Sequence, residues 1–468
     1  MKRLIVIVFI IFGSFLTFSL YRTFAYDTSV VEEVPSTTDL EYTFKIGNSS
    51  IKQITVDSGE TRYYDIVLGN PNNAKISYSV YYEMVSPSSK PDGYKIEYTS
   101  KSTGTSTGKV DKNGNITLNI VVTNTSSSTV TVKIGTVAGY VKGGELTLNS
   151  GQEVIPKRVF PKATYVVEHL DDGTSGDSGS GVYKIEHSAI PTDSSATGSE
   201  IPAVTDYRYY GASPNNYICL DNTSGSCEDR HLYRIIGSIY EEKENTNRIK
   251  VIKATPLKND STTTYAYDIG RVNLWATLTS GNYSNSLTSG SDIMQLLNSG
   301  DWWNRTNTYA NYGLTEKAKS YITTSRYYLS GYNNSNIKTT AMYGYERGTK
   351  RANNYRPLYW DGYVGLMYPS DYGYAAGNSC VNGTNLFNYD SSCMNKDWIY
   401  NSSNWQWLMS PDSNAPDSVW YIRSTGIVVA GEDNVRDDGL VRPTFYLTSN
   451  TLITNGDGSI DNPYLIGL

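Results

Sequence analysis

Four cysteines, three histidines and one acid-rich loop are the residues whose types and spacing bear most directly on chemistry. Cys219 and Cys227 flank a turn through Asn222-Thr223-Ser224-Gly225, and Cys380 and Cys393 flank another through Asn382-Gly383-Thr384 and Asn388-Tyr389-Asp390. Neighbour pairing is expected, Cys219 with Cys227 and Cys380 with Cys393, each bridge adding about 3 kcal/mol by the chain-entropy estimate. The alternative for such a pair is a reactive or metal-binding dithiol. Between Gly431 and Gly439, Glu432, Asp433, Asp437 and Asp438 supply four carboxylates and Asn434 an amide, part of an oxygen shell suited to calcium. Asn455-Gly456-Asp457-Gly458-Ser459-Ile460-Asp461 is a second calcium candidate. Both stretches are also what turns are made of, and Arg436 opposes a cation in the first. His169, His187 and His231 are too few and too scattered for a three-imidazole metal site. There is no nucleophile elbow, P-loop, His-Glu-x-x-His or Cys-x-x-Cys, and no catalytic residue is assigned.

The elements that would position these residues follow from composition. The chain has 468 residues, 38% of them hydrophobic, enough for two to four packed domains. Forty Lys and Arg against 46 Asp and Glu leave a net charge of −6, so no basic field exists to hold nucleic acid. Tyr at 41 and Gly at 40, with abundant Ser, Thr and Asn, describe a β-rich chain and exclude long helical bundles.

Met1-Lys2-Arg3 followed by an apolar run from Leu4 to Tyr21 is an export signal, and residues 1–25 are expected to be a signal peptide or a membrane anchor. Thr23-Phe24-Ala25 suits cleavage, whereas the run's length also suits a retained helix, and both outcomes stand. No Cys follows to carry lipid, and Pro463-Tyr464-Leu465-Ile466-Gly467-Leu468 is no apolar tail or wall-sorting signal. The expected location is extracytoplasmic, with the chain either anchored in the cell membrane by its N-terminal helix or secreted.

From 40 to 165, Ile76, Tyr78, Val80, Tyr82 and Met84 alternate with polar neighbours. So do Ile116, Leu118, Ile120 and Val122, and Val130, Val132 and Ile134, between turns such as Lys112-Asn113-Gly114-Asn115. This period of two predicts an immunoglobulin-like β-sandwich. Residues 166–204, with Asp171-Asp172-Gly173 and the Gly/Ser run after it, read as a flexible acidic linker. From 205 to 468 both periods occur. Tyr233-Arg234-Ile235-Ile236-Gly237 and Ile249-Lys250-Val251-Ile252 predict a hairpin. Ser291 heads a short helix with Ile293, Leu296 and Leu297 on one face and Gly300 after it, and Thr315 heads another with Ala318, Tyr321 and Ile322. The fold class is thus mixed β and α+β.

In 205–450, Tyr233-Arg234-Ile235-Ile236-Gly237, Ser291-Asp292-Ile293-Met294-Gln295-Leu296-Leu297-Asn298 and Val364-Gly365-Leu366-Met367-Tyr368-Pro369-Ser370-Asp371-Tyr372-Gly373 come in succession. Trp407-Leu408-Met409-Ser410-Pro411, Gly431-Glu432-Asp433 and Val441-Arg442-Pro443-Thr444-Phe445-Tyr446-Leu447 follow. The series resembles a domain of unknown function common in exported proteins of Gram-positive gut bacteria. The resemblance implies a C-type-lectin-like fold related to the formylglycine-generating, sulfatase-modifying enzymes. Those enzymes bind copper through two cysteines, a role that would fall here to Cys380 and Cys393. The Glu-Pro-Asn and Trp-Asn-Asp signatures of calcium-dependent sugar binding are absent.

Within that pattern Trp405, Trp407, Trp420, Tyr372 and Tyr446 read as core rings and hydrogen-bonded corners, and Pro411 and Pro443 as structural positions of the motifs. Arg442 is expected to tie loops together through carbonyls or a carboxylate, and Asp371 to act as a turn or cap acid. The functional expectation is a non-catalytic exported or cell-surface protein whose C-terminal domain binds an extracellular glycan or protein, as in adhesion. The alternatives are an oxidase of the formylglycine-generating type using Cys380 and Cys393, and a structural envelope protein.

Overall fold

The computed structural model describes residues 43–46, 53–140, 146–171, 173, 176–177, 179–191, 201–258, 277–279, 282–284, 292–348, 358–401, 405–413, 419–430 and 439–468. The chain divides into two compact units, 1–159 and 160–468.

The first unit holds β1 (Thr43–Ile46), β2 (Gln53–Val56), β3 (Glu60–Gly69), β4 (Ile76–Ser86), β5 (Tyr94–Tyr98), β6 (Thr107–Val110), β7 (Asn115–Asn124), β8 (Val130–Gly139) and β9 (Gln152–Val154). Two antiparallel sheets form, β1-β3-β7-β5 and β2-β8-β4-β6, with β9 alongside β4. Alternation fixes the buried side. Ile76, Tyr78, Val80 and Tyr82 of β4 meet Leu118 and Ile120 of β7 and Val132 and Ile134 of β8 in one core. Asn113, at φ 53°, takes the left-handed position its amide tolerates in the turn before β7.

The second unit is β-rich with short helices. Its main sheet joins β10 (Gly181–His187), β11 (Val204–Tyr210), β12 (Tyr217–Cys219), β13 (Leu232–Glu241), β14 (Thr246–Lys253), β22 (Thr444–Tyr446), β23 (Leu452–Asn455) and β24 (Tyr464–Gly467). Smaller sheets are the hairpins β15 (Thr277–Thr279) with β16 (Asn282–Ser284) and β17 (Ser325–Tyr328) with β18 (Tyr359–Gly362). The last is β19 (Gln406–Pro411) with β20 (Val419–Ile422) and β21 (Val428–Ala430). The expected hairpin is β13 paired antiparallel with β14. The helix Asp292–Asn298 buries Ile293 and Leu297, while Ser291 lies outside the described residues. Thr315 caps Glu316–Lys319, its hydroxyl oxygen accepting from the Ala318 N–H at 3.2 Å.

One expectation is corrected. Much of 166–204 is not a linker: Ala163–Glu168 is helical, and β10 pairs along its whole length with β11. Val182 and Tyr183 are buried, and the Tyr183 hydroxyl donates to the Tyr374 carbonyl at 2.9 Å. Gly173, Gly176 and Gly179 all have positive φ, so they build fixed turns where Gly/Ser content alone suggests slack. Residues 192–200 lie outside the described residues, as does the apolar segment 1–25. Among the described residues no helix is long and apolar enough to cross a membrane.

Candidate functional site

The second unit is organised around buried charge. Asp206 and Arg208 on β11, Lys250 on β14, Glu346 and Arg347 at the end of the helix Thr339–Glu346, and Asp371 in the helix Pro369–Ala375 are all buried. Arg208 Nη1 donates to Asp371 Oδ1 at 2.8 Å, and its Nε and Nη2 donate to Asp206 Oδ2 at 3.1 and 2.9 Å. Lys250 Nζ donates to Asp371 Oδ2 at 2.5 Å. Asp371 also accepts from the Tyr368 N–H at 3.0 Å, capping its own helix. His187 stacks on Tyr343 at 3.8 Å and its Nε2 lies 3.1 Å from Asp206 Oδ2. Strands and helices far apart in sequence are thereby tied at one point, every carboxylate facing a cation.

Burial alone would raise the Asp371 carboxyl, but the Lys250 ammonium and Arg208 guanidinium outweigh it and hold it at about 2. Burial pushes Glu346 the other way, up to about 7, against the pull of Arg347 and the Ser370 donors. The two act at opposite ends of the pH scale. Asp371, depressed from an unfolded value near ~3.9, contributes stability that is full above that value and lost as pH falls through 2. Glu346, raised from about 4.3 when unfolded, contributes stability that is full below that value and lost as pH rises through 7. Between pH ~5.5 and ~8 the unfolding free energy of the wild type in urea is therefore expected to fall relative to that of Glu346→Gln, by about 2 kcal/mol. Parallel midpoints across that range would refute the assignment.

Arg442 is a second buried tie. Its Nε donates to the Lys253 carbonyl at 2.8 Å, Nη1 to Ile399 at 2.9 Å and Nη2 to Ala254 at 3.3 Å. The neighbouring Pro443 carbonyl accepts from the Lys253 N–H at 2.9 Å. Arg234 lies between the rings of Tyr217 and Trp398, 4.5 and 4.4 Å from their centroids. Trp407, Trp420, Tyr372 and Tyr446 are core rings, Pro411 is buried at the end of β19, and Trp405 is half-buried against Tyr421.

Cys219–Cys227 and Cys380–Cys393 are disulfides. Neither sulfur of Cys380 or Cys393 is thus a thiolate free to bind copper. Reduction is expected to lower stability by about 3 kcal/mol per bridge. Urea titration with and without a thiol reductant, read by tryptophan emission, measures it; coincident curves would refute it. The calcium candidates part company. Glu432, Asp433, Asn434, Asp437 and Asp438 lie outside the described residues. At the second stretch Asp457 accepts from the Ser459 N–H at 2.9 Å and the Asp457 N–H donates to the Asn462 carbonyl at 3.0 Å. That carboxylate is closing a turn, and among the described residues no three His, Cys, Asp or Glu converge as a metal site.

The surface feature most suited to recognition lies on β18. Tyr359, Asp361 and Tyr363 point to one exposed face, while Trp360, Gly362 and Val364 point into the protein. Gly362 is required by close approach, because a Cβ there would meet the Trp360 indole at 1.8 Å. Tyr359 and Tyr363 are 40% and 38% exposed. Each ring is held from within. The Arg326 guanidinium sits 3.7 Å from the Tyr359 ring centroid while bonding Asp361 through two nitrogens, at 3.0 and 3.3 Å. Trp303 stacks on Tyr363 with centroids 5.0 Å apart and planes 25° from parallel. Asn298 fixes the backbone beneath, its Oδ1 accepting from the Tyr363 and Val364 N–H groups and its Nδ2 donating to the Val364 carbonyl. The sequence marks none of these surface residues: the run Tyr-Trp-Asp-Gly-Tyr-Val suggests a strand, but with rings on both of its faces it does not show which face stays outside. Comparison of the chain with family models, curated proteins and solved structures gives no match in any of the three.

Proposed function

We propose that the chain is an exported recognition protein. An immunoglobulin-like module precedes a C-type-lectin-like domain, 205–468, and that domain binds an extracellular glycan or protein at the exposed face of β18. The observation that carries the reading is the row Tyr359, Asp361, Tyr363 with Trp303: aromatic rings exposed to solvent yet locked by internal partners. Rings fixed before binding lose little rotamer freedom on contact and bring large apolar area, which is how recognition surfaces gain affinity. The two disulfides suit an oxidising extracytoplasmic setting. The resemblance to exported domains of Gram-positive gut bacteria points the same way.

The test is binding of the purified full-length chain to arrays of extracellular glycans and proteins, alongside the double variant Tyr359→Ala/Tyr363→Ala. At least one ligand is expected, with its signal lost in the double variant while the far-ultraviolet circular dichroism stays that of the wild type. A ligand bound equally by both chains would place recognition elsewhere. A chain that binds nothing on either array would favour the envelope-building role.

A further inference from the structure

Resting on that reading of the β18 face, we infer that its ligand is an uncharged polysaccharide lying along the row, its sugar rings stacked on Tyr359 and Tyr363 and its hydroxyls on the Arg326–Asp361 pair between them.

Charge is the first reason. Arg326 is taken by Asp361 and lies 3.5 Å from Glu242, Lys319 is paired with Glu316 at 2.7 Å, and Asp301 accepts from Asn307 at 3.0 Å. Among the described residues both cations beside the row, Arg326 and Lys319, are already paired with carboxylates. To gain the Arg326 cation an anionic ligand would have to break a two-bond guanidinium–carboxylate contact, and a cationic one would face the same obstacle at Asp361.

Spacing and bonding character give the second. Tyr359 opens β18 and Tyr363 is the first residue after it, so at the rise of a strand the two stand roughly 13 Å apart at most, and the row suits a chain with several repeating units. The pattern along it is ring, ion pair, ring. One side of each ring is covered, Tyr359 by Arg326 and Tyr363 by Trp303, and what remains open is a face whose negative quadrupole attracts the polarised C–H bonds of a sugar. The ion pair in the middle offers both N–H donors and carboxylate lone pairs. A hydroxyl answers both, whereas a proline-rich backbone only accepts. Sugar chains, with flat C–H faces and hydroxyl edges, match this order better than a peptide in the polyproline conformation.

Affinity electrophoresis of the full-length chain through gels containing a neutral β-glucan, a neutral galactomannan or polygalacturonate tests this, with oligoproline titrated separately. Retardation by a neutral polymer is expected, little changed when salt is raised roughly tenfold. Tyr359→Ala and Tyr363→Ala should each weaken it, by up to about tenfold. Tyr359→Phe, which keeps the ring, should restore it. Retention by polygalacturonate that disappears in salt, or binding of oligoproline alone, would overturn the ligand class but leave recognition at this face standing. No retention by any neutral polymer would also overturn it. Retention that survives both alanine variants would overturn the site, and with it the placement of recognition on β18.

Discussion

Asp371→Ala should unfold the second unit at much lower urea than the wild type, with a loss of about 3–5 kcal/mol. The residue accepts from Arg208, Lys250 and the Tyr368 N–H, and all three donors are buried around it. Removing the acid leaves Lys250 out of water without its counter-charge and Arg208 with Asp206 alone, and that desolvation, more than the lost attraction, sets the size of the effect. Lys250→Met should be milder. Asp371 would keep Arg208 and the Tyr368 N–H, and a methionine fills the stem's space beside Tyr368 and Tyr446. The measurement is convenient because all eight tryptophans, Trp275 to Trp420, fall within 160–468, so tryptophan emission follows that unit alone. If Asp371→Ala shifted the midpoint no further than Lys250→Met, the cluster would not hold the unit together as described.

Arg442→Met should be comparably severe, about 3–5 kcal/mol. The guanidinium bonds the carbonyls of Lys253, Ala254 and Ile399, joining the end of β14 to a segment some 150 positions later. Each buried carbonyl left without a donor costs roughly 1–3 kcal/mol, partly recovered where the backbone can relax toward water. Arg442→Lys keeps a charge but only a compact one, and a single ammonium cannot span three carbonyls on two segments. Lysine should therefore recover less than half the loss. Full recovery by lysine would show that charge, and not the planar fork, is what the site needs.

The strands of the first unit are legible because their core sets recur every second residue: Ile76, Tyr78, Val80 and Tyr82 share the core face of β4, and a one-residue slip would turn all four away from it. Arg442 and the disulfide pairs are legible for a different reason, since a buried guanidinium or a Cys close to another Cys has few other uses outside the cytoplasm. The segment 166–204 misleads because glycine, serine and aspartate mark fixed turns and slack chain alike; only Gly173, Gly176 and Gly179 at positive φ distinguish them. The ion cluster is hidden more deeply. Asp206, Lys250, Glu346 and Asp371 are scattered over 165 positions, and no local period announces that β11, β14 and two helices meet. Tyr359 and Tyr363 escape notice because a tyrosine-rich sequence gives no sign of which rings the fold leaves outside.

Hydroxyl-radical footprinting of the full-length chain, alone and saturated with the strongest array ligand, locates the binding face directly. Oxidation of Tyr359, Tyr363 and Trp303 should fall several-fold on binding, while Tyr63 of the first unit, 71% exposed, stays as reactive as before. Unchanged oxidation of the β18 row, with protection appearing at another surface, would contradict recognition by this face.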